Sequence, residues 1–199
     1  VSLVFHDESR SRPPGVEIEG HAIVSADGNI SEADGTMPKA LMNEADWALF
    51  QSALDRAAIV VLGRLGHQAH PNPGRRRLVL TGSVVGLVAD PADPLAWCWN
   101  PATLAFEDVL ERLEIAAGTV AVTGGTRVFD HFLGIGYDRF ALSTATKVLI
   151  PDGRPCFTSD RPEPVLERHG LVSEGGRLID AVNDVTAALW TRRHAAGTV

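Results

Sequence analysis

Three short, largely apolar runs ending in small polar or glycine-bearing turns constrain this chain more than any other feature. Ile59–Leu62 (IVVL) leads into Gly63-Arg64, Arg77–Leu80 (RLVL) into Thr81-Gly82-Ser83, and Thr119–Thr123 (TVAVT) into Gly124-Gly125. Runs this short, apolar without alternation, read as central strands covered by helices on both faces. Between them lie segments with helical spacing. Glu44–Arg56 brings Trp47, Phe50 and Leu54 onto one face behind Asn43 as N-cap, Thr103–Ala116 repeats the pattern through Phe106, Val109, Leu110 and Leu113, and Thr126–Leu133 is a shorter helix.

The remaining segments complete the sheet. Val16–Ile18 with Ala22–Val24, Ala96–Asn100 and Asp138–Ser143 read as strands, and Ser25–Asn43 is a long loop carrying Asp27-Gly28-Asn29, Asp34-Gly35 and Pro38. In the proline-broken C-terminal third, Val165–Ser173 and Arg177–Ile179 read as an antiparallel hairpin about Gly175-Gly176. Thr186–Arg192 reads as a last strand, although Ala187-Ala188-Leu189-Trp190 suits a helix equally. The expected fold class is α/β: three layers, a central mixed and mostly parallel sheet with flanking helices, and an antiparallel C-terminal hairpin. The proline-broken Arg10–Gly15 makes residues 1–15 a flexible N-terminal arm, and 16–199 a single domain.

A chain of 199 residues that is 45% hydrophobic can bury one sizeable core. Its net charge of −7 disfavours a nucleic-acid partner. No apolar run approaches the ~20 residues of a membrane span, and the opening segment lacks the apolar core of a signal peptide, so a cytoplasmic protein is expected, with no membrane association. Cys98 and Cys156 are expected as free thiols. His67 and His70 lie in a proline-broken loop without a third ligand, so no metal is expected. No GxSxG elbow points to nucleophilic hydrolysis.

Candidate chemistry gathers at the turns. Leu62-Gly63-Arg64 and Val122–Arg127 each place glycine and a basic residue where a strand gives way to a helix, which suits phosphate, although a glycine pair after a strand is often only a tight turn. Asp46 is a carboxylate on an otherwise apolar helix face: either an exposed first-turn acid favoured by the helix dipole, or an anchor for a ligand's paired N–H groups. Arg75-Arg76-Arg77 is either a solvated strand edge or part of an anion patch. Trp97 and Trp99 share a strand face and read as packing.

Taken in order, these segments resemble the dihydrofolate reductase-like family. Ala22–Ile30 is similar to its first strand and mobile loop, Thr36-Met37-Pro38 to that loop's end, and Asp46–Phe50 to the helix bearing its substrate carboxylate. Val60–Arg64 resembles its Gly-Arg helix start, Pro73–Thr81 its Pro-Gly-Arg segment, and Val120–Leu133 its paired-glycine turn. The resemblance implies an NADPH-dependent oxidoreductase that transfers hydride to a reduced pterin such as dihydrofolate or dihydromethanopterin, in one-carbon metabolism.

On that resemblance Asp46 is catalytic, and Ala22, Ile23, Phe50, Arg75 and Ser143 bind a small pterin-like substrate. Cofactor contacts fall on Asn29, Ile30, Gly63, Arg64, Thr81, Ser83, Thr123, Gly124, Gly125, Thr126, Arg127, Val128 and Phe129. A monomer or homodimer is expected. The pyrimidine reductase domain of riboflavin biosynthesis shares the strand and Asp-Gly turn of Ser25–Ile30 and the glycine pair, and would change the substrate to a ribosylated pyrimidine. A non-catalytic nucleotide-binding member of the fold is a further alternative. The chain departs from the family at Lys39, where tryptophan is usual, at Gly66, where a threonine is usual, and at His21, where an aliphatic residue is expected against the pterin.

Overall fold

A computed structural model describes residues 12–192. Nine strands form one sheet in the order β10-β11-β8-β1-β7-β3-β4-β6-β5. They are β1 (Gly15–Ser25), β3 (Ala57–Gly63), β4 (Arg77–Leu80), β5 (Leu87–Asp90), β6 (Asp93–Trp99), β7 (Ala117–Val122), β8 (Arg139–Ala145), β10 (Leu171–Asp180) and β11 (Val185–Arg192). Two short strands, β2 (Asn29–Ser31) and β9 (Arg154–Pro155), pair separately. From β8 to β6 all neighbours run parallel, while β5 at one end and the β10–β11 pair at the other are antiparallel. The α/β, mostly parallel expectation therefore holds.

Alternation along the strands sorts the helices into two layers. Ile59 and Val61 point to a core shared with α3 (Phe106–Arg112), α4 (Thr126–Ile135) and α5 (Pro162–Arg168), through Val109, Phe132 and Val165. Val60, Leu62, Val79 and Ala121 face the other way, onto Leu54 and Phe50 of α1 (Glu44–Arg56). The remaining helix, α2 (Arg64–Ala69), follows β3 directly. Trp99 is fully buried among Phe106, His131 and Phe132, while Trp97 receives the Arg76 guanidinium 5.4 Å over its ring.

Several local expectations change. Pro162 stands in the first turn of α5 and its Val165 and Leu166 are buried, so the segment expected as the first arm of a hairpin is helical up to Arg168. The Gly175-Gly176 pair is no turn: it lies within β10 at a shift of register between Ser173 and Gly176. The hairpin instead turns after Asp180, whose carboxylate accepts from the backbone N–H groups of Val182 and Asn183, and the strand expected over Thr186–Arg192 is β11. The Asp90–Pro94 link is the tip of the β5–β6 hairpin. Of the expected N-terminal arm, residues 1–11 lie outside the described residues, whereas Arg12 pairs with Asp138 at 2.8 Å and β1 begins at Gly15.

Arg77 is fully buried, donating to the carbonyls of Pro71 and Arg75 and pairing with Asp93. The middle arginine of the basic run lies along Trp97 and donates to the Leu113 carbonyl. The run is therefore largely structural, which neither of its two readings anticipated.

Candidate active site

A split in the sheet creates the site. The ladder between β1 and β7 ends at Gly20 and Val122, whereas β1 continues beside β8 as far as Ser25 and Ala145. Past that point β7 turns away through Thr123-Gly124-Gly125 into α4, and a cavity of about 400 Å³ lies along the split under α1. Its walls include His21, Ala22, Ile23, Ile30, Asp46, Phe50, Thr123, Gly124, Gly125, Phe129 and Ser143.

Asp46 owes its place to the start of α1. The Asn43 side chain accepts from the N–H groups of Ala45 and Asp46 at 3.1 Å, satisfying two orphan donors, and its amide donates to Asp180 at 2.7 Å. The helix start is thereby tied to the end of β10, with Asp46 half-buried in the cavity wall. Burial pushes its carboxyl pKa up, and a hydrogen bond from Ser143 partly opposes the shift. Ser143 itself is buried on β8, opposite Ile23.

At the other side of the cavity two glycine-bearing turns meet. The Gly63 N–H donates to the Gly124 carbonyl at 2.8 Å, and the Gly124–Gly125 peptide is cis. Gly124 has a φ of +92°, and a Cβ there would lie 2.5 Å from the Phe129 ring. Gly125, the N-cap of α4, has room: its nearest neighbour on the Cβ side is Ile30, at 3.7 Å. Because β3 and β4 are adjacent, with Gly63 opposite Leu80, Arg64 and the Thr81–Ser83 segment emerge side by side. The Thr81 and Ser83 hydroxyls are 2.8 Å apart and exposed.

No protein-family model and no curated protein sequence matches the chain. Solved structures do. A dihydrofolate reductase from Enterococcus faecalis complexed with NADP(H) and RAB-propyl superposes with a TM-score of 0.62 at 16% identity, over 89% of this chain and 97% of that one. The fold is dihydrofolate reductase-like. The same fold is shared with a putative riboflavin biosynthesis protein from Shewanella, with a TM-score of 0.61 at 14% identity over 89% of this chain and 99% of that one. It is shared too with a diaminohydroxyphosphoribosylaminopyrimidine deaminase/5-amino-6-(5-phosphoribosylamino)uracil reductase from Thermotoga maritima, with a TM-score of 0.60 at 18% identity. That match covers 91% of this chain and 57% of the longer enzyme.

Within this dihydrofolate reductase-like fold most of the expected residues converge. Asp46, Ala22, Ile23, Phe50 and Ser143 line the cavity from β1, α1 and β8, and Ile30, Thr123, Gly124, Gly125 and Phe129 line it beside the glycine turn. Arg75 does not join them: its guanidinium is held by Asp55 at 2.5 Å and Gln51 at 2.9 Å, both on α1. Asn29 lies away from the cavity wall, its amide donating to the Ile150 carbonyl, and Thr126 donates to the Pro155 carbonyl. Val128 is buried against Gly63, and Arg64 and Arg127 lie outside the cavity wall on α2 and α4.

The cavity also takes in Glu19, Trp47, Arg56 and Arg177, none of which was expected as a site residue. The period of two along β1 already places Glu19, His21 and Ile23 on one face. Arg177 had no such signal, because its position depends on the pairing of β10 with β11.

Proposed function

We propose that the protein is an NADPH-dependent reductase of a reduced pterin, of the dihydrofolate or dihydromethanopterin type. The observation that carries this reading is Asp46: a half-buried carboxyl with raised pKa, facing Ser143 in the cavity and across from the paired-glycine turn. A planar ring presenting adjacent N–H groups would give that carboxylate two charge-assisted hydrogen bonds, offsetting the cost of its burial. A carboxyl with raised pKa also holds a proton closer to neutral pH than an ordinary aspartate, which suits delivery toward a ring nitrogen, directly or through water. Phe50 gives the ring an apolar face, and the fold contributes orientation and exclusion of water.

The residues fit the cofactor. Gly63, Gly124 and Gly125 would admit its pyrophosphate against backbone N–H groups, and Arg64 with Thr81 and Ser83 would receive the 2′-phosphate. Bound there, NADPH would supply the hydride. The proposal includes a soluble, cytoplasmic setting and a monomeric or homodimeric state.

The likeness to two riboflavin-type proteins favours a second reading, reduction of a ribosylated pyrimidine. NADPH oxidation measured with dihydrofolate, dihydromethanopterin and the riboflavin pyrimidine intermediate separates them. Turnover of a dihydropterin is expected. Turnover of the pyrimidine alone would replace the first reading with the second, and NADPH binding without turnover of any of them would favour a nucleotide-binding protein.

A further inference from the structure

The cavity floor changes character along β1. Ile23 lies level with Ser143 and Ala187, close to Asp46; two residues back His21 lies level with Ala141 and Leu189, and two further back Glu19 lies level with Arg139. Moving away from the glycine turns, an apolar floor therefore becomes a polar one. His21 is 6% exposed, its ring T-shaped to that of Phe50, and among the described residues its Nε2 has no hydrogen-bond partner. Oε1 of Glu19 is 3.5 Å away. The other Glu19 oxygen is 3.3 Å from Nε of Arg139. From above, the exposed Arg56 at the end of α1 lines the same space and lends its positive charge to both His21 and Glu19.

A buried nitrogen without a partner calls for a ligand or water to supply one. Burial, with Arg56 and Arg139 nearby, lowers the His21 pKa to about 4, so the ring is neutral at ordinary pH and can donate or accept. The neighbours limit what can enter. The neighbours are of mixed sign, the Glu19 carboxylate beside the Arg56 and Arg139 guanidiniums, so they call for a group that both donates and accepts, and an unsubstituted aromatic tail would leave Nε2 unpaired. A hydroxyl satisfies the whole set, donating to the Glu19 carboxylate while accepting from imidazole or guanidinium.

We propose that the end of the cavity away from the glycine turns is a polyol subsite, in which His21, Glu19 and Arg56 receive a hydroxyl-bearing chain attached to the reduced heterocycle. The subsite rests on reading the cavity as a reductase's substrate pocket, and it makes His21 a specificity-determining residue.

The test uses matched probes on the full-length protein, with binding followed through the fluorescence of Trp47 in the cavity wall. One pair is a dihydropterin bearing a trihydroxypropyl chain and the same ring bearing methyl. The other is an aminouracil bearing ribitylamino and the same ring bearing methylamino. On at least one ring the hydroxylated probe should bind at least about tenfold tighter than its methyl partner, as expected when buried polar groups lose a hydroxyl. His21→Leu should reduce that preference to within about twofold without weakening the methyl probe, and His21→Gln should keep part of it. Arg56→Met, at an exposed position, should lower the preference in a protein that melts normally.

A preference confined to the uracil pair would uphold the subsite while removing the pterin reading. Equal binding within both pairs, a preference untouched by His21→Leu and Arg56→Met, or failure of all four probes to bind would overturn the subsite.

Discussion

Asp46 is disfavoured as an anion because burial strips its water and the Ser143 hydroxyl returns only part of the loss. A folded-state pKa above the unfolded value means that the native protein binds the proton more tightly. Stability therefore falls as pH rises from the ordinary value of 3.8 through the raised one. Asp46→Asn should accordingly melt higher than the unmutated protein at neutral pH, with the advantage closing as pH falls below the ordinary aspartate range. In the same variant reduction should drop by a factor of about 10² or more while NADPH affinity changes little, the signature of a lost acid–base group. Identical melting at neutral pH would contradict the burial argument, and undiminished turnover would remove the residue from the chemistry. The position of Asp46 was legible because Asn43 fixes where the helix starts and the helical period does the rest. That of Arg75 was not: nothing in the periodicity of either segment reveals that Asp55 and Gln51 hold its guanidinium.

The element that binds the cofactor in this reading is the β7–α4 turn, and its two glycines are not equivalent. A side chain at Gly124 would need a φ of +92° and would collide with Phe129, so substitution there changes fold and binding together. Gly125 has an ordinary φ of −76° and a Cβ there would make only an ordinary contact with Ile30, so Gly125→Ala is the informative change. It should melt normally and bind NADPH at least about tenfold more weakly, or ~1.4 kcal/mol; unchanged affinity by titration would make the turn structural only. On the adjoining strands, NADPH should bind more tightly than NADH. Arg64→Ala should narrow that gap by about 1–3 kcal/mol, the range for a hydrogen bond to a charged group, and equal affinity for the two cofactors in the unmutated protein would contradict it. The central elements were readable because their apolar runs lack alternation. The C-terminal ones were not: Gly175-Gly176 has the composition of a turn, yet β10 absorbs the pair as an irregularity while the Asp180 carboxylate makes the real corner.

At the scale of the whole molecule, the split between β1 and β7 forgoes ladder hydrogen bonds in the middle of the sheet so that a ligand can enter. Backbone groups from His21 onward lack a β7 partner on that edge. Ligands filling the cavity should therefore slow amide exchange along His21–Val24 and Thr123–Gly125 more than along β4 or β6. They should also raise stability by about 2.7 kcal/mol when one ligand is present at a hundred times its Kd. Uniform protection across the sheet, measured by hydrogen exchange, would locate binding elsewhere. The same strand has a consequence for synthesis. Gly15 pairs with Ala117, and Glu19 pairs with Arg139, so β1 leaves the ribosome long before either neighbour exists. Contacts so distant in sequence make closure of the core slow, because loop entropy is lost before burial returns anything. Until β7 is translated, the nascent chain displays β1 with neither of its neighbours, the kind of unpaired strand that chaperones exist to shield.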